Sequence, residues 1–180
     1  MNAAKADSEL INETLTGDMA AFRTLVERHE GKVAGVVKGL LGDVPEADDV
    51  GQEVFIRLYE SLASFRGDAA LGTYVTRIAI NLSLNELKRQ KRKATRFGSL
   101  REAEEKETAS ADDALHELLH REIENLEPDY RTVVILRMIE GYSVQETAAL
   151  LNVPVGTVMS RLHRAQKKLK ETITKQKGND

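Results

Sequence analysis

The sequence predicts an all-α protein of two small helical domains joined by a flexible linker, and three observations carry that expectation. Its 180 residues are rich in Ala, Leu, Glu, Lys and Arg, the strong helix formers, and contain only three prolines. Apolar residues recur at three- and four-residue spacing, and no Val/Ile-rich alternating runs with hairpin turns argue for a sheet. Charge is segregated along the chain. Lys88, Arg89, Lys91, Arg92, Lys93, Arg96 and Arg101 crowd together without an acid, and the acidic, polar, apolar-poor stretch REAEEKETASADD follows at once. Such a shift reads as a linker, which places domains at 1–94 and 112–180 with the linker at 95–111.

Composition excludes several classes. There is no cysteine, hence no disulfide framework and no thiolate metal site. The N-terminus MNAAKADSEL is polar and shows no secretory signal, and no run is long enough to span a bilayer, so a cytoplasmic protein without direct membrane insertion is expected. The net charge of −3 is unusual for a DNA binder until the segregation of the basic residues is considered.

Four helices are expected before the linker. Ser8–Leu15 is short, and Gly17-Asp18 breaks it and caps the next. Asp18–Leu41 carries Phe22, Leu25, Val26, His29, Val33, Val36, Val37 and Leu40, mostly at helical spacing. After a turn over Gly42–Ala47, Asp48–Leu62 turns Val50, Val54, Leu58 and Ser61 inward and presents Asp49, Gln52, Glu53, Ile56 and Glu60 outward. An isoleucine among outward acids fits either a solvated face with a stray apolar residue or a docking face for a basic partner. Ser64-Phe65-Arg66-Gly67-Asp68 reads as a loop. On the fourth helix, Thr73–Arg92, the apolar face is Val75, Ile78, Ala79 and Leu82, while Arg77, Asn81, Asn85, Lys88 and Arg92 form one polar and basic stripe. Cations hold phosphate and amides bond base edges, so loop and stripe together suit an unstacked single-stranded base. Equally, Phe65 fits a plug over the core and Asn81 a helix-to-loop hydrogen bond.

Beyond the linker, Asp113–Leu126 has an apolar face of Leu115, Leu118, Leu119, Ile123 and Leu126. From Glu140 the chain reads as a helix-turn-helix. Ser143 and Glu146 form a capping box, Ala148, Leu150 and Leu151 give the first helix its apolar side, and Asn152-Val153-Pro154 turns the chain. The second helix sets Val155, Val158, Leu162, Ala165 and Leu169 on one face, with Thr157, Ser160, His163, Arg164 and Lys167 opposite, flanked by Arg161 and Lys168. No acid occurs between Val155 and Lys170, and short hydroxyls followed by long cations suit a helix entering a major groove.

The order DDVGQEVFIRLYESLASFRGDAALGTYVTRIAIN, a basic run, a linker, then YRTVVILRMIEGYSVQETAALLNVPVGTVMSRLHRA resembles the extracytoplasmic-function class of bacterial sigma-70 factors, from about Asp18 to Leu169. The resemblance implies a σ2 and a σ4 domain, and a function in directing core RNA polymerase to −35/−10 promoters and melting the −10 region. Asp49, Gln52, Glu53 and Phe55 match the segment that docks on the β′ clamp helices, and Ile56 joins that face. Phe65, Arg66 and Asp68 match the loop capturing a flipped −10 base, with Asn81 its polar partner. Lys88, Arg89 and Arg92 fit promoter-backbone contacts, and Arg77 and Asn85 complete that stripe. Ser160, Arg161 and Arg164 match DNA-facing positions of the −35 helix, beside Thr157, His163 and Lys167. Tyr130–Gly141 resembles the helix that meets the β flap. An anti-sigma factor is an expected partner; a small-molecule substrate, a cofactor and a metal are not. The chain departs from the pattern at Tyr74, where tryptophan is common, and at Met159, where lysine or arginine is common.

Two rival readings remain in view. A stand-alone regulator would use the helix-turn-helix without polymerase. His116-Glu117-Leu118-Leu119-His120 is an HExxH pattern, for which Glu122, Glu124 or Glu140 supplies a third zinc ligand by count in a zinc peptidase.

Overall fold

The structure is a computed structural model describing residues 5–97 and 111–177. Among those residues it is built of helices alone, eight of them α. Contacts divide the chain into two compact units, Met1–Ser83 and Leu84–Asp180, a division that falls inside a helix. Most of the expected linker at 95–111 lies outside the described residues.

In the first unit, α1 (Asp7–Leu15) packs on α2 (Met19–Leu41), and α2 packs on α3 (Pro45–Ser61). Asp18 caps α2 as its sequence position suggests, its carboxylate accepting from the N–H groups of Ala20 at 2.8 Å and Ala21 at 3.3 Å. α3 begins at Pro45, three residues earlier than the periodicity predicted. Val44 is extended and Pro45 occupies the first turn, where its missing N–H costs nothing. A 3-10 turn, Leu62–Ser64, ends α3, and α4 (Leu71–Phe97) follows. α4 is longer at both ends than its apolar stripe, because a polar helix continues where no breaker stops it.

The core of this unit contains Leu25, Val36, Leu40, Val54, Leu58, Val75 and Ala79, all fully buried. Each large aliphatic there contributes about 1.5–3 kcal/mol by leaving water. His29 is half-buried; its Nε2 lies 3.1 Å from an Asp7 carboxylate oxygen, and the other oxygen accepts from Arg28. That contact ties α1 to α2.

In the second unit, α5 (Ala111–Glu124), α6 (Pro128–Val134) and α7 (Val144–Leu151) pack around α8 (Val155–Lys177). α6 does not run straight to Gly141 as expected. It widens into a π turn over Ile135–Ile139, with Glu140 N–H donating to the Ile135 carbonyl at 2.9 Å. This turn leaves Met138 and Ile139 exposed while Ile135 and Leu136 stay buried. Val133, Ala148 and Val158 form a core to which Val144, Leu151, Val153 and Leu162 add their edges.

Candidate nucleic-acid interface

The capping box at α7 forms as its residues dictate. Ser143 N–H donates to Glu146 Oε2 at 2.7 Å, and Glu146 N–H donates to Ser143 Oγ at 3.1 Å. Asn152 then takes the left-handed conformation, φ 52°, which an Asn side chain tolerates better than most. Val153 N–H closes back on the Ala148 carbonyl at 3.1 Å, a Schellman ending that turns the chain sharply into α8.

α8 presents Ser160, His163, Arg164 and Lys167 to solvent, with Thr157 half-buried beside them. Val158, Ala165 and Leu169 are buried and Leu162 is half-buried, as the spacing requires. Val155 departs from the expectation. It is 41% exposed, since it stands at the first turn of α8, before that helix reaches the core.

Arg161 is also differently placed from the outward residues. It stands three positions after buried Val158 and four before buried Ala165, so it borders the core-facing side. Its guanidinium donates to the Asp129 carboxylate at the start of α6, and its side chain is 25% exposed. One helical repeat on, Lys168 donates to Glu127 at 2.5 Å and lies 5.1 Å from the centre of the Tyr130 ring. The Lys168 hydrogen bond holds the Glu127 carboxyl below its ordinary range. Both flanking cations are therefore engaged by α6, an arrangement invisible in a helical projection of α8 alone.

On α4, Arg77, Asn81, Asn85, Lys88 and Arg92 are all exposed along one stripe, as predicted. Arg89 is exposed but paired. Its Nε donates to one oxygen of Glu86 at 2.6 Å and its Nη2 to the other at 2.9 Å, and Gln90 adds a third bond at 3.2 Å. Burial opposes ionisation of Glu86, but the Arg89 and Gln90 hydrogen bonds outweigh it and hold the carboxyl below its ordinary range. Glu86 was missed in sequence because an acid just before a basic run looks like half of an ordinary i,i+3 surface pair; its burial is the new fact.

Before α4, the Phe65–Asp68 loop turns through Gly67 at φ +74°, which an L side chain rarely adopts. Phe65 is half-buried, its ring 5.1 Å from that of Tyr74 and tilted by 50°. It is thus packed on one side and open on the other. Arg66 and Asp68 are exposed. Next to the loop opens a groove of about 500 Å³ lined by Arg57, Glu60, Ser61, Ser64, Tyr74, Ile78, Asn81 and Leu82. The aromatic pair and the Asn81 amide therefore lie in one neighbourhood.

α3 keeps Val54 and Leu58 in the core and exposes Asp49, Gln52 and Ile56, the last at 52%. Glu53 is half-buried and accepts from Arg57 Nε at 2.7 Å, and Arg57 also reaches Glu60 at 3.5 Å, so the acidic face is partly self-neutralised. Phe55 is half-buried. Tyr59, one turn from Ile56, was overlooked. It is 46% exposed with its ring edge-on to Phe22 at 5.0 Å, and extends the apolar strip; its i+3 spacing from Ile56 was the available signal.

Of the HExxH pattern, the His116 side chain lies outside the described residues, His120 is exposed, and Glu117 lies 3.9 Å from Arg121.

The family described as Sigma-70 region 2 matches residues 25–93, and that described as Sigma-70, region 4 matches residues 116–169. The ECF RNA polymerase sigma-E factor of Escherichia coli K12 is 37% identical over 188 residues, covering 96% of this chain and 97% of that protein. The RNA polymerase sigma-H factor of Pseudomonas aeruginosa is 34% identical over 186 residues, covering 96% of each. Among solved structures, CnrH in complex with the cytosolic domain of CnrY aligns at a TM-score of 0.68 and 26% identity, over 94% of this chain and 98% of that one. The sigma factor RpoE of Bartonella quintana, solved with the anti-sigma factor NepR, aligns at 0.71 over 85% of this chain and 96% of that one; at 20% identity it speaks for the fold alone.

Proposed function

The chain belongs to the extracytoplasmic-function class of sigma-70 factors, and from that premise we propose which of its surfaces meet the polymerase and the promoter. As an alternative sigma factor it binds core RNA polymerase and directs it to promoter DNA. Sigma factors are non-catalytic initiation factors; RNA synthesis belongs to the polymerase.

Residues 1–94 form the σ2 domain and 112–180 the σ4 domain, with 95–111 as linker; the two matched family segments support this division. Asp49, Gln52, Glu53 and Ile56 dock on the β′ clamp helices, and Tyr59 widens that face. Phe65, Arg66, Asp68 and Asn81 hold an unpaired −10 base against the groove beside Tyr74. Arg77, Asn85, Lys88 and Arg92 follow the strand backbone. On α8, Thr157, Ser160 and His163 face −35 base edges while Arg164 and Lys167 hold phosphates. We read Arg161 and Arg89, whose guanidinium groups pair with Asp129 and Glu86, as residues that also fix helix geometry.

Melting follows from where the contacts lie. The σ2 contacts exist only for an unstacked base, so binding favours the opened strand over the duplex. We place the protein in the cytoplasm, where polymerase and promoter are, under control of an anti-sigma factor.

The observation that carries this reading is the coexistence on one chain of an aromatic loop with an adjoining groove, an exposed Asn–Lys–Arg stripe and a capped helix-turn-helix. In vitro transcription with core polymerase on a promoter library randomised at both elements tests it. Enrichment of two spaced motifs is expected. Failure of core to co-purify, with no run-off product, would return the chain to a stand-alone regulator.

A further inference from the structure

We propose that Met159 selects thymine in the −35 element, by apolar contact with the base's C5-methyl group. The inference rests on the reading of α8 as the −35 helix.

Met159 is 59% exposed on a helix whose apolar residues otherwise mostly turn inward, and Val155 one turn before it is 41% exposed. With exposed His163 they form a row at i, i+4 and i+8, next to outward Ser160. A recognition helix contacts base edges through its N-terminal residues, the part this row occupies.

The remaining chemistry of that half narrows the base it can read. Between Val155 and Leu162 the single charged side chain is Arg161, whose guanidinium is bonded to Asp129 at the core-facing edge. Guanine readout needs paired donors to O6 and N7, and the row Val155, Met159 and His163 holds no Arg or Lys; the exposed Arg164 and Lys167 stand beyond it. Adenine readout needs an Asn or Gln amide; the segment has none, and Gln166 further on sets its amide 3.9 Å from the Met138 sulfur. Ser160 donates to the Thr157 carbonyl at 3.0 Å, and hydroxyls of this kind serve any base. Thymine alone offers an apolar group in the major groove, and covering a methyl with an exposed thioether removes apolar surface of both from water.

The test uses the full chain with core polymerase. A library randomised across −35 identifies the enriched thymine, which is then replaced by deoxyuridine, differing only by the methyl. Promoter binding by the wild type should fall about fourfold, the factor for one buried methyl group. Met159→Ala should bind the thymine and deoxyuridine promoters equally, and Met159→Arg should shift enrichment at that position to guanine. Wild-type indifference to deoxyuridine at every −35 position overturns the proposal, as does Met159→Ala retaining the fourfold preference. Enrichment at −10 with none at −35 overturns instead the assignment of α8 as the −35 helix, and the proposal falls with it.

Discussion

Phe65 packs on Tyr74 and, on the function proposed above, also holds a base. Tyr74 in turn lines the groove to which Asn81 contributes. Stacking of a base on an aromatic ring contributes about 1–3 kcal/mol. Phe65→Leu, which keeps much of the packing, should therefore weaken binding of single-stranded −10 DNA at least about fivefold and leave −35 duplex binding unchanged; electrophoretic shifts with the two probes separate them. Glu86 is the contrasting residue, with a structural role just before a basic run. Its carboxyl titrates below the ordinary value in the folded chain, so its stabilisation is complete above that value and is lost as pH falls through the lowered one. Glu86→Gln should accordingly flatten the loss of stability on acidification below about pH 4.5, read by helical circular dichroism. Equal acid sensitivity in variant and wild type would remove this role.

At the level of elements, α3 and α8 each divide into a buried stripe and an exposed face, but different forces hold them. α3 is held by Val54 and Leu58, and its exposed Ile56 adds nothing to that packing. Ile56→Ala should weaken capture of core polymerase by about 1–2 kcal/mol while leaving thermal unfolding unchanged, since an exposed side chain contributes to affinity only when a partner buries it. α8 is held by its core and also by Arg161 and Lys168 reaching Asp129 and Glu127. Such exposed or partly exposed pairs add little to stability, so their effect is chiefly on helix orientation. Arg164→Ala should lower the salt slope of −35 binding by about one, as loss of a phosphate contact does, and Arg161→Ala should leave that slope unchanged. The double exchange Arg161→Asp with Asp129→Arg should restore binding lost in either single variant. A reduced slope for Arg161→Ala would make it a phosphate contact after all.

For the molecule as a whole, the net charge of −3 is compatible with DNA binding because the cations are concentrated on α4 and α8. Neither reader alone covers a promoter, and joining two modest sites in one chain raises the affinity of the second by proximity. That gain depends on promoter geometry. DNA turns once in about 10.5 base pairs, so inserting five between −35 and −10 puts the elements on opposite faces. Transcription by the reconstituted holoenzyme should then collapse, while binding to each isolated element persists. Insertion tolerated without loss would mean that the two readers do not act on one promoter together.

The sequence by itself determined the helical class, the order of the helices, the Ser143 cap and the outward stripe of α4. Each follows from local rules, namely side-chain period, capping chemistry and turn residues, which need no distant partner. It also specified the loop at Phe65, though not which of two roles the ring takes. Tertiary structure decided what depends on neighbours far apart in the chain. Arg161 meets Asp129 across 32 positions, Phe65 meets Tyr74 around a turn, and Val155 stands clear of a core that its spacing alone assigned to it. The Ile135–Ile139 π turn likewise follows from no local signal, and it appears only in the folded chain. Periodicity reports which way a side chain points from its own helix. Whether a cation there is available to DNA depends on which acid the next helix brings beside it, and only the folded chain fixes that.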